Sequence, residues 1–168
     1  GRGGPDGLAG VAPDAGLISL HIYSRLVEPA SLPPPLEDRA PGTARHAPGR
    51  GIAAWDSDLL KALERVHALG AFHNIAAVNL SLAGDELFGD RAACDAAQPA
   101  LADAVAILRS AGIAVVAAAG NDGKRERLPA PACSSGVIAV GASCAATDAG
   151  FCADGPDSVA AFSNVAEF

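Results

Sequence analysis

Two stretches of this 168-residue chain combine small residues with a polar side chain in a way that suits chemistry. One is Asn79-Leu80-Ser81-Leu82-Ala83-Gly84 and the other is Ala117-Ala118-Ala119-Gly120-Asn121-Asp122-Gly123. Each closes a short apolar run of the kind that forms a parallel strand, and in an open parallel sheet ligands bind outside the carboxyl ends of the strands. Small residues at both ends let an extended ligand approach the backbone. Asn121 is able to point its amide N–H donors into that space. A fixed amide suits a developing oxyanion, because it supplies a hydrogen bond without changing charge. Asn-Asp-Gly is also a turn sequence, and spacing alone does not separate the two readings. Lys124, Arg125, Glu126 and Arg127 follow directly; a solvated loop is the simpler reading and a preference for acidic side chains the alternative. The histidines offer less. His21 lies in an apolar run, His46 in a Pro-rich stretch, His67 on a helical pattern and His73 in a helix–strand connection, and each reads as structural or solvated.

The elements that position these residues are legible as apolar runs at residues 17–22 (LISLHI), 75–80 (IAAVNL), 113–119 (IAVVAAA) and 137–141 (VIAVG). The last three are nearly continuous in apolar character, as expected for parallel strands covered on both faces. Leu59, Leu63, Val66 and Leu69 recur at helical spacing behind the potential caps Asp56 and Ser57, with Gly70 as the stop. Leu101, Val105 and Leu108 repeat behind Pro99, a residue suited to a first helical turn, and Gly112 follows. The order β-α-β-α-β-β predicts a parallel sheet sandwiched by helices. Residues 23–52 differ: Pro29, Pro33, Pro34, Pro35, Pro41 and Pro48 fall there without periodicity, so the stretch reads as an insertion.

Composition narrows the classes. The net charge is −7 with 50% hydrophobic residues, which excludes a disordered tail and argues against nucleic acid or an anionic membrane as partner. No apolar run approaches the roughly 20 residues of a membrane helix, and no basic-then-apolar leader opens the chain. Met is absent, so the chain is expected to be processed or cut from something longer. The four cysteines, Cys94, Cys133, Cys144 and Cys152, form no C-x-x-C pair, which disfavours structural zinc. Of the three possible pairings we favour Cys144–Cys152, which closes a short loop, with Cys94–Cys133 by elimination. Such bridges imply an oxidising compartment; free, partly buried thiols of a cytosolic protein are the alternative.

Five segments carry a specific resemblance: GVAPDAGLISLHI (10–22), AAVNLSLAG (76–84), GIAVVAAAGNDG (112–123), PAC followed by GVIAVGA (136–142), and VAAFSN (159–164). In this order they resemble the middle of a subtilisin-like serine protease, a subtilase. The likeness covers most of the chain outside the Pro-rich stretch, so residues 1–168 are expected to form a partial subtilase catalytic domain with an insertion at about 23–52. It implies an α/β fold, a three-layer α/β/α arrangement with a mostly parallel, doubly wound sheet, incomplete here. It implies that Asn121 is the oxyanion-hole amide. By the same resemblance Ser81, Leu82, Ala83 and Gly84 match the backbone rail that pairs with a substrate peptide, and Ala118, Ala119 and Gly120 match a wall of the specificity pocket. The rail departs from the family pattern at Ala83, where a Gly is usual, and that methyl narrows the cleft. The Cys94-Asp95 and PAC segments are similar to those of secreted bacterial members, which supports the Cys94–Cys133 pairing and a secreted or periplasmic, bacterial origin. Family members often bind Ca²⁺ through loops, but no loop here has the acidic spacing of such a site, so no cofactor is identifiable.

The triad motifs are missing. No Asp stands in a D-[ST]-G context, no His in HGTH and no Ser in GTSMA. The resemblance therefore implies a fragment of a secreted serine endopeptidase, inactive alone because the oxyanion amide has neither nucleophile nor base to assist. A packing consequence follows: sheet surface meant for missing elements is expected to drive self-association or pairing with the rest of the parent chain. Asn79-Leu80-Ser81 fits the glycosylation pattern but lies at a strand end in the expected cleft, which discounts it. Two other classes compete. A non-catalytic subtilase-like domain would bind extended peptides by strand addition or serve as a scaffold. A nucleotide-binding enzyme would use residues 120–123 as a phosphate loop, which requires a helix to open directly after them.

Overall fold

A strand forms only where a neighbour takes up its backbone N–H and C=O groups, and that condition decides the N-terminal part. The structure, a computed structural model, describes residues 11–25, 52–145, 151–152 and 154–168. The expected strand at residues 17–22 is not one. Leu17 and Ile18 are exposed, and pairing begins only at β1 (Tyr23–Arg25), which runs antiparallel to β2 (Ile52–Ala54). No described residue pairs with 17–22, so an apolar pattern there does not become a strand; His21 accordingly sits in coil. The two flanks of the Pro-rich stretch are joined, with Tyr23 opposite Ala54. Its body at 26–51, with His46, lies outside the described residues, as do residues 1–10.

Helical periodicity is realised where it was expected. Helix α1 (Asp56–Gly70) buries Leu59, Leu63 and Val66. Its cap differs from the expectation: Trp55 is the N-cap, with no side-chain cap, and its carbonyl accepts from Asp58 N at 2.9 Å and Leu59 N at 3.1 Å. Asp56 and Asp58 lie in the first turn instead, where carboxylates meet the positive end of the helix dipole. Strand β3 (Ala77–Leu80) follows, then the short β4 (Leu87–Phe88). Helix α2 (Arg91–Ala97), absent from the sequence reading, starts at Asp90, whose carboxylate accepts from Ala93 N at 2.8 Å. Helix α3 (Pro99–Ser110) carries Pro in its first turn and buries Leu101, Val105 and Leu108. It closes with Gly112 N donating to Arg109 O and Ile113 N to Leu108 O. These are the paired bonds of a Schellman end, and Gly112 at φ 77° supplies the left-handed residue they need.

Strands β5 (Ala114–Ala118), β6 (Leu128–Pro129) and β7 (Val137–Val140) complete the order. The main sheet is β3-β5-β7, all parallel, and β4 pairs antiparallel with β6. Leu80 lies opposite Ala117, and Ala117 opposite Ala139. One face carries Leu80, Val115, Ala117 and Val137, all buried in one core with the apolar stripes of α1 and α3. Helix α3 packs on β5 and α1 on α3.

The other face departs from the expectation of strands covered on both sides. Val116, Ala118, Ile138 and Val140 share it, and Ile138 and Val140 are 53% and 51% exposed. The described residues thus build two layers of an α/β sandwich, and burial alternates along β5 although its run is continuously apolar.

Both favoured cysteine pairings are present. Cys94–Cys133 joins α2 to the segment after β6 with Cα atoms 5.9 Å apart, and Cys144–Cys152 has Cα atoms 5.6 Å apart. Around the first bridge, Arg91 Nη1 donates to Ser134 O at 2.7 Å and Ser135 N to Asp95 Oδ1 at 2.9 Å. The guanidinium of Arg91 also lies 5.8 Å from the centroid of the Phe168 ring.

Candidate functional site

Strands β3 and β5 are neighbours and parallel, so their carboxyl ends open at the same edge of the sheet. Pairing stops at Leu80 opposite Ala117, and beyond that point the two chains separate. Ser81, Ala83 and Gly84 are exposed after β3, while Leu82 is half-buried against the core. Asn79 Nδ2 donates to Ser81 Oγ at 2.9 Å, and Gly84 N to Ala130 O at 2.8 Å, which anchors this segment at both ends. On the adjacent strand Ala118 is half-buried, Ala119 and Gly120 are buried, and Asn121 is exposed. The structure thus brings both predicted groups to one sheet edge.

Asn121 combines a fixed backbone with a free side chain. Its amide makes no hydrogen bond among the described residues. The backbone on either side is held by a residue some forty positions away. Asn164 N donates to Gly120 O at 3.1 Å, and Asn164 Oδ1 accepts from Asp122 N at 3.1 Å and Lys124 N at 2.9 Å. Asn164 Nδ2 completes the set by donating to Asp122 Oδ2 at 3.2 Å. Gly120, at φ 97°, is required by this arrangement: a Cβ there would lie 2.5 Å from Asn164 Nδ2.

Ser163 performs the matching task at the next strand. Its Oγ accepts from Ala142 N at 3.0 Å and donates to Asn164 O at 3.2 Å, while Ala160 N donates to Ala142 O at 3.0 Å. The segment at 160–165 therefore ties the ends of β5 and β7 together. Phe162 in it stacks edge-to-face on Phe151, next to the Cys144–Cys152 bridge. Ser163 and Asn164 are both buried and were missed as site residues. The only signal for them was a polar pair closing the apolar VAAF run, and nothing local says what the pair bonds.

The basic segment continues the clamped backbone. Gly123 N donates to Phe162 O at 2.7 Å, Val165 N to Lys124 O at 2.9 Å and Glu126 N to Val165 O at 2.6 Å. Lys124, Arg125, Glu126 and Arg127 are exposed. The next element is β6, not a helix, so residues 120–123 do not present the helix N-terminus a phosphate loop needs.

The remaining candidates contribute nothing to this edge. His21, His67 and His73 are exposed. A cavity of about 640 Å³ opens at the opposite end of the sheet, lined by His67, Phe72, His73, Ile75 and Ile113 among others, and holds none of the residues above. Among the described residues no three His, Cys, Asp or Glu side chains come together as a metal ion would need. No described helix is long and apolar enough to cross a membrane.

The parallel β3-β5-β7 sheet with helices packed on it is part of an α/β fold of the subtilisin type. The chain belongs to the subtilase family, whose profile matches residues 3–166. Among solved structures, a psychrophilic protease, S41, is 22% identical with a TM-score of 0.50, over 67% of this chain and 32% of that one. Sphericase is 21% identical with a TM-score of 0.51, over 67% of this chain and 32% of that one. The prenylagaramide maturation protease PagA is 28% identical with a TM-score of 0.47, over 70% of this chain and 35% of that one. The chain thus spans about a third of the length of the solved structures it matches. A search of curated proteins returned no significant match.

Proposed function

We propose that this chain forms the substrate cleft and oxyanion donor of a secreted serine endopeptidase whose nucleophile and base come from outside these 168 residues. The observation that carries the reading is the amide of Asn121, unbonded among the described residues, at the edge where β3 and β5 end side by side, in a chain of the subtilase family. A peptide lies extended along the backbone of Ser81, Leu82, Ala83 and Gly84, in the manner of strand addition. Ala118, Ala119 and Gly120 border the pocket for its side chain. In the complete enzyme a Ser attacks the scissile carbonyl, a His takes its proton and returns it to the leaving amine, and an Asp orients that His. Asn121 donates to the oxyanion as the tetrahedral intermediate forms. The two disulfides support a compartment outside the cytoplasm.

The apolar face bearing Ile138 and Val140 supports the further reading that the rest of the parent chain covers it. Without that cover the isolated chain self-associates. The isolated chain also hydrolyses neither casein nor peptides, since none of its Asp, His or Ser residues stands in a triad motif.

The test is made on the full-length protein. Peptidase activity that Asn121→Ala lowers by about 10²–10³ in kcat supports the assignment; that is the loss subtilisin itself shows for its oxyanion amide. Full activity in this variant overturns it. The absence of triad motifs within the chain favours one second reading, a peptide-binding domain without catalysis. A full-length protein that binds extended peptides and cleaves none decides for it.

A further inference from the structure

We infer that Asn164 is a positioning residue for Asn121, acting through the carboxylate of Asp122. The inference rests on the reading of Asn121 as the oxyanion donor. An amide that stabilises a transition state must be held before the charge develops, and its own donors must stay unspent. The first condition requires the backbone to be fixed by something other than the amide. Asn164 does this on both flanks, taking Gly120 O on one side and Asp122 N with Lys124 N on the other. It is 1% exposed, so the clamp is mounted from the buried side of an otherwise exposed turn.

The chemistry explains why the clamp is an amide. The Oδ1 acceptor holds two backbone N–H groups, which a carboxylate could also do. The Nδ2 donor meets the Asp122 carboxylate at 3.2 Å, which a carboxylate could not. Asp122 follows Asn121 directly, so the orientation of its side chain and backbone sets the direction from which Asn121 enters the cleft. A carboxylate at 164 keeps both N–H bonds but faces Asp122 with like charge, and it pushes the turn apart where the oxyanion donor is mounted.

Three variants of the full-length enzyme separate positioning from mere packing: Asn164→Asp, Asp122→Asn and the two combined. Asn164→Asp is expected to lower kcat by about 10–100-fold with KM nearly unchanged, since small misplacements of a catalytic group carry losses of that order. Asp122→Asn is expected to lower kcat only a few-fold, because its amide oxygen still accepts from Asn164 but without the charge that strengthens the bond. The combination restores a donor–acceptor pair in the opposite sense and is expected to recover most of kcat. Melting temperatures are recorded for all three.

Equal loss of kcat in Asn164→Asp and in the combined variant overturns the inference, as does unchanged kcat in Asn164→Asp. Hydrogen exchange in the folded protein supplies the independent readout: Asn164→Ala is expected to accelerate exchange at the Asp122 and Lys124 amides. Exchange at these amides no faster in Asn164→Ala than in the wild type shows that no clamp exists. If the wild-type protein shows the clamp by exchange but cleaves no peptide, the endopeptidase reading fails and the catalytic part of this inference falls with it.

Discussion

Gly120→Ala is the substitution whose cost the structure specifies most fully. Two terms contribute. A non-glycine residue at φ 97° is strained, at about 1–3 kcal/mol. The new Cβ would also lie 2.5 Å from Asn164 Nδ2, 3.1 Å from Pro129 Cγ and 3.3 Å from Pro129 Cδ. Both neighbours are buried, so neither side chain swings into solvent. Moving Asn164 disturbs its bonds to Asp122 N, Lys124 N and Asp122 Oδ2, each worth about 1 kcal/mol net. The total is about 4–6 kcal/mol, a large part of the roughly 5–15 kcal/mol that holds a domain folded.

Gly112→Ala is the control. Its φ of 77° carries a similar backbone strain, but no atom lies within 4 Å of the added Cβ. It is expected to cost about 1–3 kcal/mol. The difference between the two, about 3 kcal/mol, isolates the Asn164 clamp from glycine's conformational freedom. Urea unfolding measures it: with a slope near 2 kcal/mol/M, the Gly120 variant unfolds about 1.5 M earlier than the Gly112 variant. Midpoints closer than about 0.5 M would refute the claim that Asn164 is rigidly held against Gly120.

Three further outcomes are expected. Replacing Cys94 and Cys133 by Ser is expected to cost more than replacing Cys144 and Cys152, because the sequence separations are 39 and 8. Loop-closure entropy gives about 4 and about 2.5 kcal/mol, and urea midpoints without reductant give the order; the reverse order contradicts the entropic account. Asp90→Ala removes the side-chain cap on Ala93 N and is expected to destabilise the chain by about 1 kcal/mol, read as a drop in melting temperature while both disulfides persist. Ile138→Thr with Val140→Thr keeps β-branched residues in β7 but makes the open face polar. Light scattering is expected to show less self-association of the 168-residue chain than in the parent sequence, and a parent that is already monomeric at high concentration removes the premise.

The fold was legible where periodicity and burial agree. Leu59, Leu63 and Val66 on α1, and Leu101, Val105 and Leu108 on α3, announce their stripes and are the residues buried. The three parallel strands were equally readable, since their runs are bounded by glycine and polar residues. Residues 17–22 misled because apolar character reports a wish to be buried, not the presence of a pairing partner. Helix α2, only seven residues long with Cys94 its one buried residue, is too short to show a period. The pair β4–β6 is two residues wide and held by long-range pairing that no local pattern encodes. The Cys144–Cys152 bridge is readable from its short loop, and Cys94–Cys133 follows by elimination with support from the subtilase resemblance, while the bonds around them, such as Arg91 to Ser134 O, are not.

The site shows the same division in two asparagines. Asn121 is singled out by the sequence because it follows small residues at a strand end, the place where parallel sheets bind ligands. Asn164 was passed over, although it makes more bonds than any other described side chain at this edge. The side-chain chemistry is identical, and burial alone assigns the roles. An amide that is 1% exposed must satisfy itself within the protein, so Asn164 spends its oxygen and a donor on the turn. An exposed amide has no such obligation, and Asn121 keeps its donors unspent among the described residues. The two states depend on each other. The turn at Gly120 and Asp122 presents Asn121 outward because Asn164 holds its flanks from within, so the buried asparagine is the physical reason the exposed one is available.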